Sequence, residues 1–264
     1  MVRLKSLALA GVCVAVLAAC SSDPVEYEAR PPEALYSDAL SNLEQGNASV
    51  AMELFDEVDR QYPYSRWATN AQLMSAFAAY DGQKYDEAII GLDRFIQLHP
   101  SHKDVAYARY LRALCYYEQI SDVTRDQKMT EYAQGALREL IQRHPNTEYA
   151  RDAQIKLDLT YDHLAGKEME IGRYYQRWGH HLAAINRFQR VVDKFQTTTH
   201  VPEALHRLVE SYTALGMVVE ANRAAAVLGH NFPGNEWYED TYEVVEGVRV
   251  RPRQDPEEPW YQFW

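Results

Sequence analysis

One residue of this sequence sits where its neighbours specify covalent chemistry. Arg3 and Lys5 precede an apolar run from Leu7 to Leu17, and that run closes on Leu17-Ala18-Ala19-Cys20. The run is too short to span a bilayer and has the charge and length of a secretory signal. Small residues followed by cysteine match the lipobox of bacterial lipoproteins. In that chemistry the Cys20 sulfur takes a diacylglyceryl group, the chain is cut before Cys20, and the new amino terminus is acylated. The alternative is a soluble secretory signal, which needs the small residues but no cysteine. At about 0.8 kcal/mol per buried CH₂, three acyl chains hold a protein to a membrane without a spanning helix.

Elsewhere the residue types that do chemistry are not spaced for it. The sequence has no Gly-rich phosphate loop, His-Glu-x-x-His, Gly-x-Ser-x-Gly or Cys-x-x-Cys, so it predicts no enzyme, no metal and no cofactor. His180-His181 makes a poor metal pair, because adjacent residues on a helix or turn point apart. Asp86-Glu87 and Glu257-Glu258 read as solvated surface. His99 and His144, each before a proline, read as helix C-terminal residues favourable to the dipole. Cys115, between Leu114 and Tyr116, reads as buried and inert. With Cys13 in the discarded signal and Cys20 acylated, no internal disulfide is available. A net charge of −11, from 27 basic and 38 acidic side chains, argues against a nucleic-acid partner.

Twelve Gly and 11 Pro in 264 residues suit helices better than many tight turns. Ser21 to Pro32 is polar and Pro-interrupted, a tether, and helical patterning begins at Glu33. An alanine with apolar residues at +4 and +7 and proline at +12 then recurs at Ala51/Phe55/Val58/Pro63, Ala88/Leu92/Phe95/Pro100, Ala133/Leu137/Leu140/Pro145 and Ala221/Ala225/Leu228/Pro233. Ala184/Phe188/Val191 is a fifth copy with Gln196 for the proline. Offsets of 0, 4 and 7 share one helix face, and proline ends each helix.

A second amphipathic helix precedes each copy, most clearly at Leu73/Ala76/Phe77/Tyr80, Ala106/Tyr110/Ala113/Tyr117 and Leu205/Leu208/Val209/Tyr212/Leu215. Gly46, Gly82, Gly179 and Gly216 mark the turns between. Copies 37, 45, 51 and 37 residues apart follow tetratricopeptide logic on a base of about 34. The expected fold is all-α, a right-handed superhelix of about five helix-turn-helix repeats. Insertions fall at a polar loop near Ser121 to Gln127 and within Glu148 to Trp178, which is patterned as one long helix despite Gly166. Most of the 19 Tyr fall at helical spacing and read as core.

The domain reading is signal 1–19, lipidated tether 20–32, repeats 33–246 and a Pro-rich aromatic tail 247–264. That tail ends Trp260-Tyr261-Gln262-Phe263-Trp264, and four aromatics in five residues call for docking on this chain or on a partner. They either cap the last repeat or occupy the peptide groove of this or a neighbouring molecule.

The lipobox, the five repeats and the strings Arg60-Gln-Tyr-Pro63, Asp93-Arg-Phe-Ile-Gln-Leu-His-Pro100, Tyr107-Ala-Arg-Tyr-Leu-Arg112 and Gly172-Arg-Tyr-Tyr175 resemble the BamD (YfiO/ComL) family. These are lipoprotein subunits of the outer-membrane β-barrel assembly machinery. The resemblance runs from Cys20 to about Tyr242 and leaves the tail without a counterpart. It implies a non-enzymatic adaptor at the outer membrane, facing the periplasm. Its implied partners are the periplasmic domains of the large barrel subunit, other lipoproteins of the machinery, and the C-termini of unfolded barrel precursors. Ser21 after the cysteine suits outer-membrane export. The implied substrate-binding residues are Tyr62 and Arg94, and the implied partner-binding residue is Arg187, rotated off the packed face toward solvent. The blander reading makes Tyr62 a hairpin cap and both arginines plain surface. A periplasmic repeat adaptor of a cell-wall or division complex shares the same physics.

Cys20→Ser should leave a folded repeat domain and abolish acylation and membrane retention, since the repeats begin some twelve residues later. Fractionation after a high-salt wash checks this, and a variant still in the membrane fraction contradicts it.

Overall fold

The motif helix of each repeat needs a partner to cover its apolar stripe, and the helix before it supplies one. The structure is a computed structural model that describes residues 30–247. Cys20, the signal and the 248–264 tail segment lie outside the described residues. The pairs are α1 (Pro32–Glu44) with α2 (Ala48–Gln61), α3 (Arg66–Asp81) with α4 (Tyr85–Leu98), and α5 (Val105–Tyr117) with α6 (Lys128–Arg143). They continue with α7 (Glu148–Arg177) and α8 (His181–Lys194), then α9 (Val201–Ala214) and α10 (Val218–Asn231), and α11 (Glu236–Glu246) follows alone. Each helix packs on the next in the chain. First helices also touch first helices, α1 on α3, α3 on α5, α5 on α7 and α9 on α11, so they form one side of the array. The fold is an all-α tetratricopeptide-type array.

The repeat register is the core. Ala51, Ala88, Ala133, Ala184 and Ala221 are buried, as are Phe55, Leu92, Leu137 and Phe188 at +4 and Val58, Phe95, Leu140, Val191 and Leu228 at +7. Each large side chain so buried contributes about 1.5 to 3 kcal/mol. Ala225 is half-buried, because α10 has only the short α11 beyond it. All five motif helices end alike, on a residue with φ between −126° and −134° and ψ between 43° and 55°. Proline disfavours the helical region for the residue before it. Phe195, which has no proline after it, adopts the same geometry, so packing suffices where the proline is missing.

One reading is refined, since Gly82 does mark its turn, and two are corrected. The left-handed turn residue of the second repeat is Gln83 (φ +58°), while Gly46, Gly179 and Gly216 take that place in their repeats. Gly82 serves packing: a Cβ there would lie 3.3 Å from the Ala48 Cβ and from the Ala78 carbonyl oxygen. Leu215 is exposed, as a cap rather than a core residue. No tyrosine among the described residues is fully buried. The phenol keeps its ring against the helices and its hydroxyl at a polar margin; burial pushes the Tyr107 hydroxyl up to about 12.

Glu148 to Arg177 is one helix of 30 residues. Its first half contributes Ala153 and Leu157 to the core of the third repeat. Its second half contributes Ala165 and Met169 to the core of the last two. Gly166 packs under His200 and Val123, and Gly172 under the Phe188 ring. The polar loop before α6 is pinned to this helix, since His163 Nε2 contacts the Ser121 carbonyl at 2.8 Å and Lys167 donates to the Thr124 carbonyl at 2.9 Å.

Phe188→Ala should cost about 3 to 5 kcal/mol. A Cβ on Gly172 would come within 3.0 Å of three Phe188 ring carbons, so Gly172→Ala should cost about 1 to 3 kcal/mol. Combined with Phe188→Leu, the same change should become nearly neutral. Chemical denaturation of the four chains checks the coupling, and additive losses would refute it. Gln83→Gly, by contrast, should gain up to about 1 kcal/mol by relieving the left-handed conformation.

Candidate partner-binding surfaces

Two of the sequence-derived site residues lie in the first two repeats, one in contact with a residue before α1 and the other with a residue near the end of α2. Tyr62 caps α2, and its hydroxyl donates to the Arg30 carbonyl at 2.7 Å. One turn earlier Asp59 faces α3 and α4: it accepts from Gln72 Nε2 at 2.8 Å and pairs with Arg94 Nη2 at 3.4 Å. Gln72 in turn meets His99 Nε2 at 3.0 Å. Arg94 is mostly exposed, and Tyr64 beside Tyr62 is fully exposed. These repeats offer a guanidinium and aromatic faces to an incoming chain.

Arg187 lies in the fourth repeat and is half-buried rather than pointing into solvent. Glu168 on the long α7 draws it inward. Arg187 Nη1 donates to Glu168 Oε2 at 3.0 Å and Arg190 Nη1 to Oε1 at 2.7 Å, so one carboxylate is held between two guanidinium groups. A cleft of about 610 Å³ lies between α6, α7 and α8. Arg138, Lys167, Arg190 and Lys194 line it against Glu131 and Glu168, a basic cleft on an acidic protein. Arg138 donates to the Tyr161 hydroxyl at 2.8 Å, and Tyr161 packs edge-on to Phe195, which gives the cleft an aromatic wall. Sequence reasoning missed Glu168 and Arg190. Arg190 was within reach of it, because it stands one turn after Arg187 on the same helix face.

Between these surfaces, the string from Tyr107 to Arg112 builds a clamp. Arg112 donates to Asp93 of α4 at 2.7 Å and to Glu139 of α6 at 2.6 Å, and Arg109 donates to Glu139 at 2.6 Å. Burial pushes the Glu139 carboxyl up, but Arg112, Arg109 and Arg143 outweigh it and hold it low. Burial and the charges of Arg109 and Arg143 push His144 down. His144 caps the C-terminal end of α6, where the sequence places it, and is disfavoured there as a cation. Tyr110 donates to Asp152 at 2.5 Å and stacks on Tyr149, tying α5 to α7. The Cys115 thiol is buried and pushed up to about 12, so it stays protonated and inert.

The last repeat is closed by α11. His206 on α9 is buried, with Nδ1 2.8 Å from the Thr241 hydroxyl and its ring against Trp237. Glu210 accepts from Arg207 at 2.8 Å and lies 3.5 Å from His206 Nε2. Burial raises the Glu210 carboxyl, yet the His206 and Arg207 contacts together bring it down to about 2. Among the described residues, no three His, Cys, Asp or Glu side chains are grouped to hold a metal ion, and no helix is long and apolar enough to cross a membrane.

The model of the outer membrane lipoprotein family YfiO matches residues 28–228. The outer membrane protein assembly factor BamD of Caulobacter vibrioides is 52% identical over 87% of this chain and 75% of its own. The protein of the same name in Rickettsia prowazekii is 43% identical over 89% and 94%, and that of Neisseria meningitidis serogroup A is 33% identical over 88% and 86%. A tetratricopeptide repeat protein from Parabacteroides merdae of known structure is 16% identical, with a TM-score of 0.36 over 81% of this chain and 73% of its own.

Since the Glu210 carboxyl ionises near 2 in the fold against an ordinary 4.5, its stabilisation is fully present above about pH 4.5 and lost as pH falls through 2. Glu210→Gln should therefore cost on the order of 1 to 3 kcal/mol at pH 7 and flatten the acid limb between pH 4.5 and 2. Denaturation curves at pH 7, 5 and 3 check this, and parallel acid limbs for the two chains would contradict it.

Proposed function

The chain belongs to the YfiO family of outer membrane lipoproteins, the BamD assembly factors, and from that membership we propose a non-enzymatic scaffold, anchored through acylated Cys20. It docks the periplasmic domains of a large outer-membrane barrel subunit and other lipoproteins of the same machinery, and it receives unfolded barrel precursors. The basic cleft between α6, α7 and α8 carries this reading. Glu168 holds Arg190 in place in its lining and Arg187 beside it, so a partner carboxylate meets guanidinium groups whose side-chain entropy is already spent. An acidic loop of a folded domain is the chemistry that fits.

Precursor binding is assigned to the other end. Tyr62, Tyr64 and Arg94 offer aromatic rings and a guanidinium at the first two repeats, suited to an extended chain with aromatic side chains and a carboxylate. An open row of helix pairs recognises such a chain through many modest contacts and requires no catalytic group.

A mild-detergent pull-down of the full chain, with partners identified by mass, should recover a large outer-membrane barrel protein. Arg187→Ala should weaken that association about tenfold. Arg187→Glu also sets a carboxylate against Glu168, so its internal cost has to be separated from its effect on binding. Arg187→Gln sets no like charge against Glu168, which keeps its pair with Arg190, and should also leave binding weak. Full binding by the Arg187→Gln chain would remove Arg187 from the docking surface.

A further inference from the structure

The inner side of the last two repeats carries a trough that nothing described so far fills. At one end a cleft of about 540 Å³ lies between α9 and α11, lined by Trp237, Asp240, Glu243 and Gly247. Its Arg207 and Glu210 also line a second cleft of about 400 Å³, which continues to Arg177 and His181 at the end of α7. The two clefts therefore form one path, acidic and aromatic where α11 ends and basic at its far end. Arg177 is exposed and pairs with no carboxylate among the described residues, and His181 Nδ1 is buried without a hydrogen-bond partner. Beside them stand Tyr174, Trp178 and Leu182, which are 55%, 66% and 66% exposed, with the first two rings 6.4 Å apart.

The described residues end at Gly247, inside the first cleft, and residues 248–264 follow it in the sequence. Their order of charge runs opposite to that of the trough. Arg249, Arg251 and Arg253 come first, next to the acidic α11; then Asp255, Glu257 and Glu258; then Trp260, Tyr261, Phe263 and Trp264. Seventeen residues reach up to about 55 Å at ~3.3 Å each. The path from α11 across α9 to the end of α7 is two helix spacings, about 20 Å. Length suffices, charge matches at both ends, and the aromatic stretch arrives where exposed aromatic surface stands uncovered.

We propose that residues 248–264 occupy this trough in their own chain, with the arginines along α11, the acidic stretch at Arg177, and Trp260 to Trp264 over Tyr174, Trp178 and Leu182. The segment thereby covers the inner face of the fourth and fifth repeats and competes, at high effective concentration, with any peptide entering the groove from that end. This goes beyond the partner reading and needs no partner to test.

Paired cysteines in the full chain decide it. Leu182→Cys with Gln262→Cys should form an intramolecular disulfide under mild oxidation at least tenfold faster than Val50→Cys with Gln262→Cys, whose first site lies in the first repeat. Positions 50 and 182 are both exposed, so neither change disturbs the core, and buried Cys115 does not compete. Adding Arg177→Glu to the first pair should slow bridging at least fivefold. Equal rates for the two pairs, bridging mainly between separate chains, or indifference to Arg177→Glu would each overturn the proposal.

Discussion

Everything in this molecule depends on how closely two helices approach at one small residue. Where an alanine stands at the crossing, the neighbouring backbone comes near enough for a Phe or Leu one turn on to fill the remaining space completely, as at Phe55, Leu92, Leu137 and Phe188. The margin has no slack. Gly172 shows its limit, because the Phe188 ring occupies the volume that a single methyl group there would need. Close packing of this kind makes the core intolerant of added volume and loses cavity and transfer energy together when volume is removed. It also confines each core to neighbouring pairs, so the array is built from local contacts in series.

That locality explains why one insertion reshapes the surface without disturbing the cores. The 30-residue α7 serves two cores in succession, through Ala153 and Leu157 and then Ala165 and Met169. A cleft lies between this helix and its neighbours α6 and α8. The same helix supplies Glu168 to that cleft and anchors the loop before α6 through His163 and Lys167. The longer helix thus lines the cleft, orders its charges and fastens its rim.

The register, the number of repeats and the single long helix could be read in the sequence because each follows from volume and periodicity along one segment. What escaped depends on two segments at once. Arg187 has the spacing of a solvent-facing residue on its own helix, and only Glu168, 19 positions earlier on α7, turns it inward. Gln83 takes the left-handed turn that glycine fills elsewhere, because Gly82 is held against Ala48 by packing between repeats. Tyrosines at core spacing stop at the margin because their hydroxyls need partners such as Asp152 for Tyr110. The His206, Thr241 and Trp237 contact that seats α11 joins residues 35 apart and leaves no periodic trace.

The arrangement of charge follows from the same division between local cores and shared surfaces. A chain of net charge −11 cannot attract an acidic partner over its whole surface, and salt screens exposed charges beyond about 8 to 10 Å. Recognition must therefore be local. The structure concentrates cations where helices diverge and braces them with a carboxylate: Arg187 and Arg190 on Glu168, Arg109 and Arg112 on Glu139. The two sets differ in purpose because they differ in access. Arg109 and Arg112 are nearly enclosed and lock α4, α5 and α6 together, whereas Arg187 is 31% and Arg190 44% exposed. Breaking the first set leaves charges buried between helices, so its cost falls on folding. Changing the second alters the charge the surface presents while the cores beneath it stay intact.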